Sequence, residues 1–251
     1  MLHAWAEFNG KEIPSELELS VEESHHLVGV RRVREGDRVE VLAGHGVVLQ
    51  CKVGSVRKKR VHLQVLEHRD HPPRQPQITL GQAVLKGKAM DWLVQKATEL
   101  GVARIQPLWT DHSEVRLDPD RAKERVRRWR QIALESCKQC GNPWLPEIRD
   151  PLPVEQWWEE SASSPTPQPR LIAALAADAR PLHAVVRDWA QPPGRLCYSI
   201  GPEGDFSQRE YQVAKQTGWQ SIHLGPLVLR AETAAIAVLA YSLLSTENHP
   251  A

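Results

Sequence analysis

Four cysteines in 251 residues, at positions 51, 137, 140 and 197, are too few for a disulfide framework, and a chain this long can fold on its own core. A reducing cytoplasm is the expected compartment. No apolar run reaches the length of about 18 residues that a membrane helix needs. Met1–Pro14 mixes His3, Glu7, Lys11 and Glu12 with apolar residues, so it lacks the apolar stretch of a signal peptide. An excess of one charge is missing too. The formal net charge is +1, so any affinity for nucleic acid has to come from local patches. Neither Gly-x-Gly-x-x-Gly, a Walker A loop nor Gly-x-Ser-x-Gly occurs, which argues against dehydrogenase, nucleoside triphosphatase and serine hydrolase readings. Cys137-x-x-Cys140 has no second pair to complete four ligands and falls inside a predicted helix, so both read as structural thiols and no metal is expected.

What is present divides into two parts. In residues 1–72 short alternating or apolar segments lie between turns: Arg38–Leu42, Gly46–Val56 and Arg60–Leu66. They predict a small β-barrel. His68–Pro76, with three prolines, reads as a linker. From residue 76 to 251 the period switches. Predicted strands Ile78–Leu85, Ala103–Trp109, Leu171–Ala176, Leu196–Ile200 and Ser221–Leu224 alternate with helices, which calls for a mostly parallel α/β sheet covered on both faces. Among the helices, one ends at Gly101, a long one runs from Asp118-Pro119 to about Cys140, and the last spans Glu232–Ser245. Ser207-Gln-Arg-Glu210 fits a capping box, with Phe206 and Tyr211 as its staple. Pro151–Pro169 is the least informative stretch: a short helix at Val154–Glu160, then a flexible loop.

Two segments carry the chemistry: Ile200-Gly-Pro-Glu-Gly-Asp-Phe-Ser207 and Leu224-Gly-Pro-Leu-Val-Leu-Arg-Ala-Glu-Thr-Ala-Ala235. Each ends a predicted strand in Gly-Pro and then opens a helix. The repetition puts exposed main-chain donors and acceptors at the carboxyl ends of strands, where open α/β sheets bind ligands.

These segments resemble the signature motifs of the 16S ribosomal RNA uridine N3-methyltransferases, the RsmE family of the SPOUT class. Further matches are Lys88-Ala-Met-Asp-Trp-Leu-Val-Gln-Lys-Ala-Thr-Glu-Leu-Gly101, Trp129–Glu135 with Gln139-Cys-Gly141, and His26-Leu-Val with Arg31 and Gly36-Asp37. The likeness spans nearly the whole chain except Pro151–Pro169. It implies a PUA-like barrel over 1–72 for RNA and a trefoil-knotted methyltransferase domain over 76–251 that binds S-adenosylmethionine. It also implies a homodimer formed through the second domain and a substrate in the small ribosomal subunit.

Carried over by position, the resemblance gives Leu175, Ala176, Ile200, Gly201, Glu203, Gly204, Leu224, Gly225, Leu229, Arg230, Thr233 and Ala234 as cofactor-binding residues, with Arg230 catalytic. Three positions depart from the usual pattern: Asp205 replaces a common Gly, Leu227 a common Arg and Ala231 a common Thr. The loss of an Arg places the cationic role on Arg230. It also leaves open a catalytically inactive assembly factor, or methylation of another RNA position. For RNA contact the candidates are Arg31, Arg32 and Arg34, and the turn Arg57, Lys58, Lys59 and Arg60. That turn lies in Val41–Leu66, a stretch with no acidic residue.

Overall fold

The computed structural model describes residues 2–7, 13–57, 60–114, 118–176 and 178–247. The chain divides into two compact units, one of Met1–Pro73 with Leu134–Leu145, the other of Arg74–Ala133 with Pro146–Ala251. No described helix is long and apolar enough to cross a membrane.

The first unit is a five-stranded sheet. It contains β1 (His3–Trp5), β2 (Glu16–Glu18), the short helix α1 (Val21–His25), β3 (Arg38–Leu42), β4 (Val47–Arg57) and β5 (Arg60–Asp70), in the strand order β1-β3-β4-β5-β2. The long hairpin β4–β5 forms its centre, and the alternation of its residues buries Leu49, Cys51, Val53, Val61 and Leu63 against Ala4, Leu19 and Leu27. β5 runs on through Asp70, which pairs with Val47. The first three residues of the expected linker are therefore strand, held by ladder bonds that local composition does not encode. Leu134–Leu145 adds Cys137, Leu134 and Leu145 to a second small cluster with Trp5, Leu42 and Val48, and the half-buried Lys138 has its ammonium 2.5 Å from Glu23.

The second unit is a wholly parallel sheet. Its elements are β6 (Gln77–Ala83), α2 (Ala89–Glu99), β7 (Arg104–Trp109), α3 (Pro119–Cys140, ending in the first unit), β8 (Glu147–Ile148), β9 (Leu152–Pro153), α4 (Val154–Ala162), β10 (Arg170–Ala173), β11 (Arg180–Pro181), α5 (Leu182–Arg187), β12 (Arg195–Ile200), α6 (Gln208–Gln216), β13 (Gln220–His223) and α7 (Ala231–Glu247). The strand order is β11-β13-β10-β12-β6-β7-β8, with β9 also pairing β7. From β10 the chain proceeds to β12 on one flank and then returns to β13 on the other. The reversal of direction opens a crevice at the carboxyl ends of these strands.

Pro151–Pro169 proves to be structural. α4 buries Trp157 and Trp158 in a cluster with Ile172, Cys197, Phe206 and Trp219. Trp157 lies so close over β6 that a Cβ at Gly81 would fall 2.2 Å from its ring. Trp158 donates its indole N–H to Ser199 Oγ at 3.1 Å and meets the Phe206 ring edge-on at 5.3 Å. The apolar helix α7 is fastened to β12 by Tyr198, whose hydroxyl lies 2.6 Å from that of Ser242.

Candidate active site

Three adjacent strand ends frame one cavity of about 280 Å3, near the lower end of the roughly 300–1,000 Å3 typical of small-molecule sites. β10 supplies Ala173 with Ala174 and Leu175 beyond it. β12 supplies Ile200 followed by Gly201, Pro202, Glu203 and Asp205. β13 supplies Ile222 and His223 followed by Leu224 and Gly225. Leu227–Ala231 and Ala234, at the start of α7, close the fourth side. Both Gly-Pro segments thus reach the same cavity. Gly201 is needed for close approach, since a Cβ there would sit 3.2 Å from the Phe206 ring. Gly225 is needed for its backbone, at φ +135°, where L side chains are strained.

The loop between β12 and α6 is tightly held. Asp205 adopts φ +59°, a left-handed conformation that Asp tolerates better than most residues. Its Oδ1 accepts from Phe206 N–H at 2.8 Å and from the Tyr211 hydroxyl at 2.7 Å. Burial and the Asp205 carboxylate push the Tyr211 phenol upward, so the phenol remains a donor. Ser207 Oγ accepts from Glu210 N–H while the Glu210 carboxylate accepts from Ser207 N–H, the expected capping box. The loop after β7 packs on this corner. Glu210 accepts from Asp111 N–H at 2.8 Å, and Asp111 accepts from the Ser207 hydroxyl at 2.6 Å and from Arg209. The Ser207 and Arg209 bonds hold the Asp111 carboxyl below its ordinary value.

Arg230 is exposed at the cavity and makes no side-chain hydrogen bond or ion pair among the described residues. Its carbonyl accepts from Ala234 N–H at 2.9 Å, which starts α7. Beside it Leu227 and Val228 stand 76% and 75% exposed, an apolar rim that includes the position where Leu227 replaces the common Arg. Of the other residues expected to bind the cofactor, Leu175, Ile200, Gly201, Glu203, Leu224, Gly225, Leu229 and Ala234 line the cavity, whereas Ala176, Gly204 and Thr233 lie outside its lining.

Sequence reasoning missed the last strand residues Ala173, Ile222 and His223, whose placement follows from strand register. It also missed Gln82, fully buried at the end of β6, whose Nε2 lies 3.5 Å from the Gly201 carbonyl. The cavity's apolar walls, glycine-lined main chain and free guanidinium fit a nucleoside-bearing cofactor with a charged tail.

The basic candidates lie in the first unit. Arg31, Arg32, Arg34 and Arg57 are exposed, with Arg32 at φ +57° just after a π-helical turn, His26–Val30. Arg60 is paired with Glu18 at 2.6 Å, so part of its charge is answered within the fold. Lys58 and Lys59 lie outside the described residues. None of the four cysteines is in a disulfide, and burial raises the Cys137 thiol to about 12. No group of side chains suited to a metal occurs among the described residues.

A family profile described as the RNA methyltransferase domain matches residues 72–243, and one described as the RNA methyltransferase PUA domain matches residues 19–66. The chain belongs to the RNA methyltransferase family. Among relatives of this family member, ribosomal RNA small subunit methyltransferase E of Bacillus subtilis is 29% identical over 241 residues, 90% of this chain and 89% of that protein. The enzyme of the same name from Mesomycoplasma hyopneumoniae is 33% identical over 162 residues, covering 64% of this chain and 67% of that protein. The Neisseria gonorrhoeae enzyme of that name, solved bound to S-adenosylmethionine, superposes with a TM-score of 0.86 at 26% identity over 98% of each chain. A Legionella pneumophila protein solved with the same cofactor gives 0.85 at 31% identity over 97% of each.

Proposed function

We propose that the protein transfers a methyl group from S-adenosylmethionine to N3 of a uridine in the 16S RNA of the small ribosomal subunit, in the cytoplasm. The observation that carries this reading is the convergence of both Gly-Pro segments on one cavity at the β10, β12 and β13 ends, with the unpaired Arg230 at its edge. The relatives' names and their bound cofactor support it.

When bound, S-adenosylmethionine supplies an activated methyl group. Main-chain groups of Ile200, Gly201, Leu224, Gly225 and Leu229 would hold the nucleoside, and Ala234 would pack against it. Uracil N3 becomes nucleophilic as its proton leaves and charge spreads onto O2 and O4. The Arg230 guanidinium is placed to stabilise that charge. N3 lies on the pairing edge, so the uridine must be unpaired or flipped out of its stack. Arg31, Arg32, Arg34 and the Arg57–Arg60 turn, with Lys58 and Lys59, would grip the surrounding RNA through its phosphates. In this reading the domains are 1–72 and 76–251. The passage from β12 back to β13 across β10 threads a trefoil knot, and α7 serves a homodimer.

The test is transfer of labelled methyl to deproteinised RNA and to small subunits, with the product mapped by nuclease digestion and mass spectrometry. A single methyl on uridine N3 is expected. Methyl on another atom would move the chain to a different RNA position, and cofactor binding without transfer would make it an assembly factor.

A further inference from the structure

One contact at the cavity wall is assigned no role by the proposed reaction. His112, on the exposed loop after β7, has its Nδ1 at 2.9 Å from the Gly204 carbonyl and 3.0 Å from the Asp205 carbonyl. Both partners can only accept, so Nδ1 must carry a hydrogen and donates it to the two oxygens together. The contact is close-fitting as well. A Cβ at Gly204 would come within 3.2 Å of His112 Cβ, so glycine there lets the histidine seat itself on the loop. Glu203 and Asp205, on either side of Gly204, line the cavity.

We propose that His112 is a positioning residue for the methyl-donor site, clamping the 201–205 loop by its carbonyls so that Glu203 and Asp205 keep their place in the cavity wall. The inference rests on the proposed use of the cavity for S-adenosylmethionine. His112 itself does not line the cavity, so it acts through the loop and not on the cofactor.

The clamp is pH-sensitive by construction. A neutral imidazole has one N–H to divide between Nδ1 and Nε2, whereas the imidazolium always has one at Nδ1 and forms the stronger, charge-assisted bond. The charged groups facing it favour the cation: Asp111 on its own loop and Glu210 on α6, with Arg209 of α6 turned onto Asp111. Bonds to the Asp205 and Gly204 carbonyls, then those two carboxylates, raise His112 above its ordinary value. With a folded value above the unfolded one, the extra hold is complete below about pH 6.5 and is lost as pH rises through the raised value.

The experiment is calorimetric titration of S-adenosylmethionine into the full-length wild type, His112→Asn and His112→Ala at several pH values from about 5.5 to 8.5, a span centred on the histidine range. Asn sets an amide N–H near the position of Nδ1 but does not titrate. Any titration of the ligand is common to all three proteins and cancels in the ratio of their dissociation constants. Wild type is expected to bind about three- to tenfold more tightly than His112→Ala at low pH, with the advantage shrinking as pH rises. His112→Asn should recover part of the affinity, with a ratio to His112→Ala that does not change with pH. A wild-type to His112→Ala ratio near one at every pH overturns the clamp, as does a ratio to His112→Asn that is flat across the range. Wild type that binds no donor even at low pH overturns the cofactor reading itself and this inference with it, an outcome distinct from binding that ignores His112.

Discussion

At the scale of single residues, two side chains at the cavity can be tested separately. The Arg230 side chain makes no hydrogen bond or ion pair among the described residues, so its truncation should cost chemistry with little effect on folding. Arg230→Ala is expected to lower methyl-transfer turnover by about a hundred- to a thousandfold, the usual effect of deleting one charge-stabilising donor. Single-turnover assays at saturating cofactor read this, and unchanged turnover would exclude the role. Asp205 is the reverse case. Its carboxylate ties Phe206 N–H and the Tyr211 hydroxyl while its backbone holds φ +59°. Asp205→Ala loses both bonds and keeps the strained conformation, so it should destabilise the protein by about 1–3 kcal/mol. Urea denaturation measures that. The departure from glycine at this position is thus explained locally: Asp tolerates the left-handed turn and adds two tethers that glycine cannot. Nothing in the structure explains Ala231 in place of the family's threonine.

At the scale of elements, legibility in the sequence follows how local the cause is. The α6 start was readable because Ser207 and Glu210 satisfy each other's backbone within four residues. The two Gly-Pro segments were readable because glycine marks the places where backbone must be left-handed or approached closely. The strands β8, β9 and β11, two residues each, exist only through pairing with β7 and β13 and leave no pattern in the sequence. In Pro151–Pro169 the short helix expected at Val154–Glu160 is present as α4, Val154–Ala162, but its packing was not legible. The segment's polar and proline-rich composition resembles loop, yet Trp157 and Trp158 place α4 against the sheet. This predicts that Gly81→Ala, which drives a methyl group into the Trp157 ring, destabilises by about 1–3 kcal/mol. In a double-mutant cycle with Trp157→Ala most of that cost should vanish, because the clash partner is gone. A full cost retained in the double mutant would show that Gly81 is required for some other contact.

At the scale of the whole molecule, the proposed division of labour rests on where charge and main-chain groups lie. The first unit offers exposed arginines and a β4–β5 turn within Val41–Leu66, a stretch that has no acidic residue. The second offers a cavity built from backbone at a reversal of strand order, with neither metal cluster nor nucleophilic cysteine among its described residues. Composition and period predicted both classes of unit, but the assignment of Leu134–Leu145 to the first unit depends on Cys137 and Lys138 finding distant partners. The strand order that creates the cavity is likewise a long-range property. Amide-resolved NMR titration of the isotope-labelled protein with S-adenosylmethionine tests most directly whether that cavity seats the methyl donor. The largest shifts are predicted at Leu175, Gly201, Glu203, Leu224, Gly225, Leu229 and Arg230. Saturating binding that leaves these amides unmoved and perturbs others instead would contradict it.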